Sequence, residues 1–165
     1  ELASRTLAAV GESGAQPVVL AADRRVAGWA LAQGVEVLID REESLSCAAA
    51  ALVAEAGTTQ RPWLIVHADL PLLTPEDIRH ALAILDGGES PIAPADDGGT
   101  SLVGGTDGMR FSYGPSSFHR HLARLPAARV VVRLGLSLDL DGPADLVAAR
   151  SHHRGAWLHR YPVGS

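Results

Sequence analysis

Pro62-Trp63-Leu64-Ile65-Val66-His67-Ala68-Asp69 is the stretch on which the fold turns. Its apolar run predicts a buried strand over residues 62–68, and the strand runs straight into an acid. Just beyond it, Thr74-Pro75-Glu76-Asp77 has the marks of a helix start. Thr74 is a cap, Pro75 fits the first helical position, two acids sit in the first turn, and Gly87 follows the end. Strand, turn and helix in that order are the beginning of a βαβ unit.

The same rhythm extends both ways. Towards the start, residues 17–22 (PVVLAA) and 35–39 read as strands. Residues 24–33 between them read as a helix that Gly34 stops. An alanine-rich helix over 44–56 follows, with Ser44 as its cap. Residues 1–10 read as the tail of a helix, ended by Gly11 and Gly14. Towards the end, strands are expected at 91–95 and 129–134, and helices at 115–125 and 143–151. Residues 136–140 alternate as a strand would. The stretch with His152, His153, Trp157 and His159 has no strong period. Strands alternating with helices imply an α/β fold, a mostly parallel sheet flanked by helices. Residues 96–134 break the rhythm, so a mixed sheet with a small β-ribbon insertion is expected there.

Composition narrows the function. The chain has 165 residues and 47% of them are hydrophobic, which suits a single domain over residues 1–165. Its net charge of −5 argues against a broad nucleic-acid footprint. A small phosphate ligand remains compatible, because metals and backbone amides can hold one. No apolar run reaches membrane-spanning length, so no membrane partner is expected. The one cysteine, Cys47, allows no internal disulfide, which points to a reducing, cytoplasmic setting. All 14 basic residues are Arg.

Three aspartates follow strand ends. Asp69 ends the first strand, and ligands of open α/β sheets bind at carboxyl ends of strands. Asp139 and Asp141 flank Leu140. On an extended segment residues two apart share a face, roughly 6–7 Å apart. Two carboxylates aimed together repel unless a cation lies between them. An oxygen-only set suits magnesium, which also bridges substrate phosphates. Each feature has a plainer reading as well: Asp69 as a turn cap, and Asp141-Gly142 as a turn before Pro143.

Two segments suit anion binding. In Asp96-Asp97-Gly98-Gly99-Thr100-Ser101 the glycines allow close backbone approach and the hydroxyls can donate, although a hairpin turn accounts for the same residues. Tyr113-Gly114-Pro115-Ser116-Ser117 leads into a helix whose free N–H groups attract phosphate or carboxylate; ordinary capping is the alternative. His119 and His121, two apart, diverge on a helix. His67 reads as a core histidine and Cys47 as packing.

In order, His67-Ala68-Asp69-Leu70-Pro71-Leu72-Leu73-Thr74, Ile92-Ala93-Pro94 through Gly99-Thr100, Phe111 to Phe118 (FSYGPSSF) with His121, and Asp139-Leu140-Asp141-Gly142-Pro143-Ala144-Asp145-Leu146 resemble one family. It is the 2-phospho-L-lactate or phosphoenolpyruvate guanylyltransferases of coenzyme F-420 biosynthesis (CofC/FbiD). The resemblance covers almost the whole chain. It implies a Rossmann-like, GT-A-type nucleotidyltransferase fold. It also implies transfer of GMP from GTP to phosphoenolpyruvate or 2-phospho-L-lactate with release of pyrophosphate. The family's metal aspartates fall on Asp69, Asp139 and Asp141, with Mg2+ as cofactor. Its positions for the phosphorylated acid fall on Thr100, Gly114 and Ser117. The family's opening strand and its Lys- and Arg-bearing nucleotide-phosphate loop are expected to be missing from this chain. Its Leu-Asn-Ala, near the base, stands here as Leu45-Ser46-Cys47. Other acceptors, such as molybdopterin or a sugar phosphate, and a non-catalytic role binding a phosphorylated ligand or partner, are the alternatives. A homodimer or a pathway partner enzyme is compatible with this reading.

Overall fold

A computed structural model of the chain describes residues 1–39, 44–58, 61–125 and 127–162. Helices α1 (Leu2–Glu12), α2 (Arg24–Ala32) and α3 (Leu45–Thr58) alternate with strands β1 (Val18–Ala21) and β2 (Glu36–Ile39). Then come β3 (Trp63–Val66), α4 (Pro75–Asp86), β4 (Ser90–Pro94), β5 (Thr100–Gly105) and α5 (Ser117–Leu122). The described chain finishes with β6 (Ala128–Val130), α6 (Leu134–Ser137), α7 (Pro143–Arg150) and a 3₁₀ helix, His153–Arg160.

β1 and β2 pair in parallel as a two-stranded sheet, and the main sheet has the order β3-β5-β4-β6. β4 and β6 are parallel, while β5 runs antiparallel to both β3 and β4. The sheet is therefore mixed, as the broken rhythm after residue 96 suggested. The chain leaves β4 and re-enters as β5 after residues 95–99, a link too short for the crossover that a parallel neighbour needs. The added strand lies in the middle of the sheet. No strand forms at Phe111–Tyr113, so the region holds one inserted strand and not a separate ribbon.

Both faces of the sheet are covered. Leu102 of β5 and Ala93 of β4 pack with Leu70, Ile78, Ala81 and Leu136 on one face. Val103 and Ile92, their neighbours in sequence, turn to Ala49, Val53, Trp63 and Phe111 on the other. That alternation is the two-residue period of a strand seen from both sides. Every residue of β5 is buried.

Two expectations are corrected by tertiary packing. Residues 134–137 form a helical turn in place of the predicted strand, because Leu136 is wholly buried against α4 and the sheet. The stretch without a clear period forms the 3₁₀ helix. It is held by Leu158 packed on Leu72 and Ala149, and by Arg150 donating to the Leu158 carbonyl. Gly155 lets this helix touch α7, since a methyl there would overlap the Ala149 carbonyl oxygen. Gly155→Ala is expected to cost about 1–3 kcal/mol by forcing backbone apart. A lower Tm in thermal unfolding checks this; an unchanged Tm contradicts the close approach.

Candidate functional site

β3, β4 and β6 run in one direction, so their carboxyl ends share one edge of the sheet. Asp69 follows β3, Asp96 and Asp97 follow β4, and Asp139 and Asp141 lie beyond β6 and α6. β5 runs the other way and starts at that same edge, with Thr100 as its first residue. The reversed strand thus brings a hydroxyl to the edge where the parallel strands deliver carboxylates.

Backbone bonds gather these segments. The Leu140 N–H donates to the Asp69 carbonyl at 3.0 Å, and the Asp96 N–H to the Ser137 carbonyl at 2.8 Å. The Asp145 carboxylate accepts from the N–H groups of Asp141 and Gly142 at 3.0 and 2.7 Å, fixing the turn before α7. Carboxylate oxygens of Asp97, Asp139 and Asp141 come within 4.8 Å of one another. Burial, chiefly, pushes the Asp139 carboxyl up to about 6, against a backbone N–H that favours its charged form. A hydrogen bond with Asp96 and the charges of Asp97 and Asp141 add to the rise. The Asp69 carboxylate stands outside this group of three. One of its oxygens is buried and has no hydrogen-bond partner among the described residues. An oxygen-only donor set, mutual repulsion and an unpartnered buried carboxylate oxygen all fit a hard divalent cation such as magnesium.

On the other side of the 95–100 loop lies a buried polar trio. Thr100 Oγ1 is 3.1 Å from Ser117 Oγ and 2.9 Å from His121 Nδ1. All three residues are at most 2% exposed. The second ring nitrogen of His121, Nε2, accepts from the Ser112 backbone N–H at 2.7 Å. Burial is the main force that lowers the His121 pKa to about 4, with Arg124 and Arg120 adding repulsion. The ring is therefore neutral at physiological pH. Arg120 donates to the Ser112 carbonyl, and Arg124 to the Arg110 carbonyl, so the same two cations hold the 110–115 loop closed over it.

The turn into α5 has unusual backbone. Gly114 sits at φ +109°, which a side chain rarely tolerates, and Ser116 is left-handed at φ 57°. The Gly114 carbonyl receives the Ser117 N–H at 3.0 Å, while the Phe118 N–H reaches the Gly98 carbonyl at 3.4 Å. The turn is thereby tied to the loop that carries Asp97 and Thr100.

His67 joins the two halves. Burial lowers its pKa, opposed by the charges of Asp69, Asp97 and Asp141. Its ring lies 5.3 Å from that of Tyr113, which in turn contacts His121 at 4.8 Å. His67 Nε2 and the Tyr113 hydroxyl are buried without hydrogen-bond partners among the described residues. The Tyr113 N–H donates to Ser46 Oγ at 2.9 Å, so the serine at the start of α3 is bonded to this loop.

The structure thus places Asp139 with Asp141, and Thr100 with Ser117. It brings Gly114 next to them through the backbone, and sets Asp69 beside the acids. Sequence reasoning passed over Asp97 as a turn residue. It is one, since it accepts from the Gly99 N–H at 2.6 Å, yet it also belongs to the acidic group. Its position just past β4 was the available signal. His121 could not be singled out from spacing, because its partners are 9 to 21 residues away in sequence.

Comparison with known proteins gives a consistent picture. The family described as guanylyl transferase, CofC like, matches residues 1–161. A 2-phospho-L-lactate guanylyltransferase of Halobacterium salinarum is 33% identical over 152 residues, 89% of this chain and 68% of that protein. A phosphoenolpyruvate guanylyltransferase of Roseiflexus sp. is 33% identical over 154 residues, 88% of this chain and 64% of that one. A 2-phospho-L-lactate guanylyltransferase of Methanopyrus kandleri is 40% identical over 91 residues, 52% of this chain and 48% of its own. The chain therefore spans from about half to two thirds of the length of these relatives. Among solved structures, a protein of Desulfovibrio desulfuricans G20 assigned as a nucleotide-diphospho-sugar transferase superposes with a TM-score of 0.72. That match covers 96% of this chain and 79% of the other, at 16% identity.

Proposed function

The chain belongs to the CofC-like guanylyl transferase family, and on that premise we propose that it transfers GMP from GTP to phosphoenolpyruvate or 2-phospho-L-lactate, releasing pyrophosphate. The reaction would serve coenzyme F-420 biosynthesis. The observation that carries this reading is the shared loop: Asp97, on the acidic side, and Thr100, on the hydroxyl side, are three residues apart. A site with carboxylates on one flank and hydroxyl donors on the other suits two phosphorylated substrates brought head to head.

In this reading Asp69, Asp139 and Asp141 would hold magnesium, with Asp97 beside Asp139 and Asp141. Bound there, the ion would supply charge neutralisation for the nucleotide phosphates. Thr100, Ser117 and the Gly114 backbone hold the acceptor acid. An oxygen of the acceptor's phosphate attacks the α-phosphorus of GTP. The new P–O bond forms as the bond to the pyrophosphate oxygen breaks. The attacking oxygen is already anionic, so no protein nucleophile and no general base is needed. The chain's residues contribute by positioning and by electrostatics. Burial disfavours a positive charge on His67 that would compete for the carboxylates.

Pyrophosphate release measured with GTP or ATP, against each of the two acids, tests the proposal. Release with GTP and one acid, and none without acceptor, is the expected result. No release with either acid would overturn it. Phosphorylated metabolites as substrates, together with a single exposed free Cys47, support a cytoplasmic setting. No helix among the described residues is long and apolar enough to cross a membrane.

A further inference from the structure

The buried trio has an odd number of protons to place, and the geometry always leaves one of the hydroxyl protons over. The Ser112 backbone N–H can only donate, so His121 Nε2, at 2.7 Å, must carry a lone pair. In a neutral ring the proton is then on Nδ1, which makes Nδ1 the donor to Thr100 Oγ1. Thr100 has one hydroxyl proton and one other partner among the described residues, Ser117 Oγ. Their contact takes one hydroxyl proton, and either oxygen can give it. Whichever oxygen accepts keeps its own O–H with no protein acceptor among the described residues. A donor left over in a residue at most 2% exposed is a costly thing for a fold to keep.

We propose that His121 is a positioning residue: locked as the Nδ1–H tautomer by the Ser112 N–H, it makes Thr100 Oγ1 an acceptor, so that the Thr100–Ser117 pair presents one obligate hydroxyl donor to an anionic oxygen of the acceptor acid. The inference rests on the assignment of Thr100 and Ser117 to the acceptor, and it adds the direction of both bonds made by His121. It also names the ligand chemistry: the spare O–H of the pair suits a carboxylate or phosphate oxygen. The neutrality of the ring is secured by its surroundings, since burial first, and then the charges of Arg124 and Arg120, oppose a second ring proton. A doubly protonated ring would face the Ser112 N–H with a second N–H, and that bond would break.

Two readouts test this on the full chain. The first needs no catalysis: 15N spectra of the imidazole nitrogens should show His121 with Nδ1 protonated and Nε2 bare between pH 6 and 8. An Nε2–H tautomer would overturn the proposal. The second is kinetic. His121→Phe keeps a ring but orders nothing, and should raise the acceptor's KM on the order of 10–100-fold, the worth of one hydrogen bond to a charged group. The KM for GTP should stay within about twofold. His121→Asn places an amide near the Nδ1 position and should recover most of the acceptor KM, which also covers the case in which the Phe variant misfolds. Thr100→Val removes the hydroxyl that His121 bonds. In that background His121→Phe should cost the acceptor KM nothing further, whereas additive losses, or equal losses for GTP and acceptor, would mean that His121 serves packing alone. If the wild-type chain releases no pyrophosphate with any acceptor, the functional reading fails, and the tautomer measurement still decides the inference.

Discussion

Asp141→Asn abolishes turnover and leaves the fold standing: the expected loss of pyrophosphate release is on the order of 10³-fold or more, about 4 kcal/mol of transition-state stabilisation. Asp139→Asn should match it. The sign of the stability change is the sharper test. Asp97, Asp139 and Asp141 crowd carboxylate oxygens within 4.8 Å, and the partly buried Asp139 is the one whose charge is least welcome. Removing a charge from that group relieves repulsion, so the metal-free Asp139→Asn variant should melt at a higher temperature than the wild type. Added magnesium should raise the wild-type Tm and do little for the variant, because a ligand stabilises only the state it binds. Opposite movements of Tm and activity identify carboxylates gathered for a cation. A variant that loses both would instead mark the acids as part of the scaffold, and one that keeps its activity would remove them from the reaction.

Asp77→Ala should unfold the protein far more readily, by about 3–5 kcal/mol. At this chain length that corresponds to a fall in Tm on the order of 10 °C. Asp77 is 1% exposed and serves four partners at once. Its carboxylate accepts from the Thr74 N–H at 3.0 Å and the Thr74 hydroxyl at 2.7 Å, closing the capping box of α4. It also takes Arg133 at 2.6 Å and Arg154 at 3.3 Å. Those arginines arrive from the start of α6 and from the 3₁₀ helix, so one carboxylate ties three elements together. Gly135 has to be glycine for the same reason, because a Cβ there would overlap the Asp77 oxygen. Truncation leaves two arginine side chains, each about one third exposed, without their common partner. Chemical denaturation with an unchanged m-value would measure the loss. A cost below about 1 kcal/mol would reduce Asp77 to an ordinary cap.

The two halves of Asp77's role show how much was legible in the sequence. Thr74-Pro75-Glu76-Asp77 announces a helix start from local chemistry alone, and α4 begins there. Nothing local announces Arg133 or Arg154, which are 56 and 77 residues away. The strand at 62–68 and the acid after it were equally plain, since an apolar run bounded by turn residues depends on no partner. The course of 134–137 was not. Its alternating pattern suits a strand, but burial of Leu136 against α4 and the sheet favoured one helical turn. At the site, motif order pointed to Asp139, Asp141, Thr100 and Ser117. The part that escaped was the contact between loops: Asp97 drawn towards residues 139–141, and His121 reaching across to Thr100. Such pairings are fixed by the return path of β5, which only the sheet order reveals.

That return path has a consequence for chemistry as well as for topology. Because β5 doubles back after residues 95–99, the carboxylate of Asp97 and the hydroxyl of Thr100 hang from one tight loop, closed by the Ala95 N–H on the Gly99 carbonyl at 3.0 Å. The gap between the two flanks of the site is therefore a ruler cut in backbone, three residues long. On the proposed assignment, an acceptor would be gauged by how far its phosphate stands from its other anionic oxygen. One residue inserted between Asp97 and Thr100 would change the graduation without touching a single functional side chain.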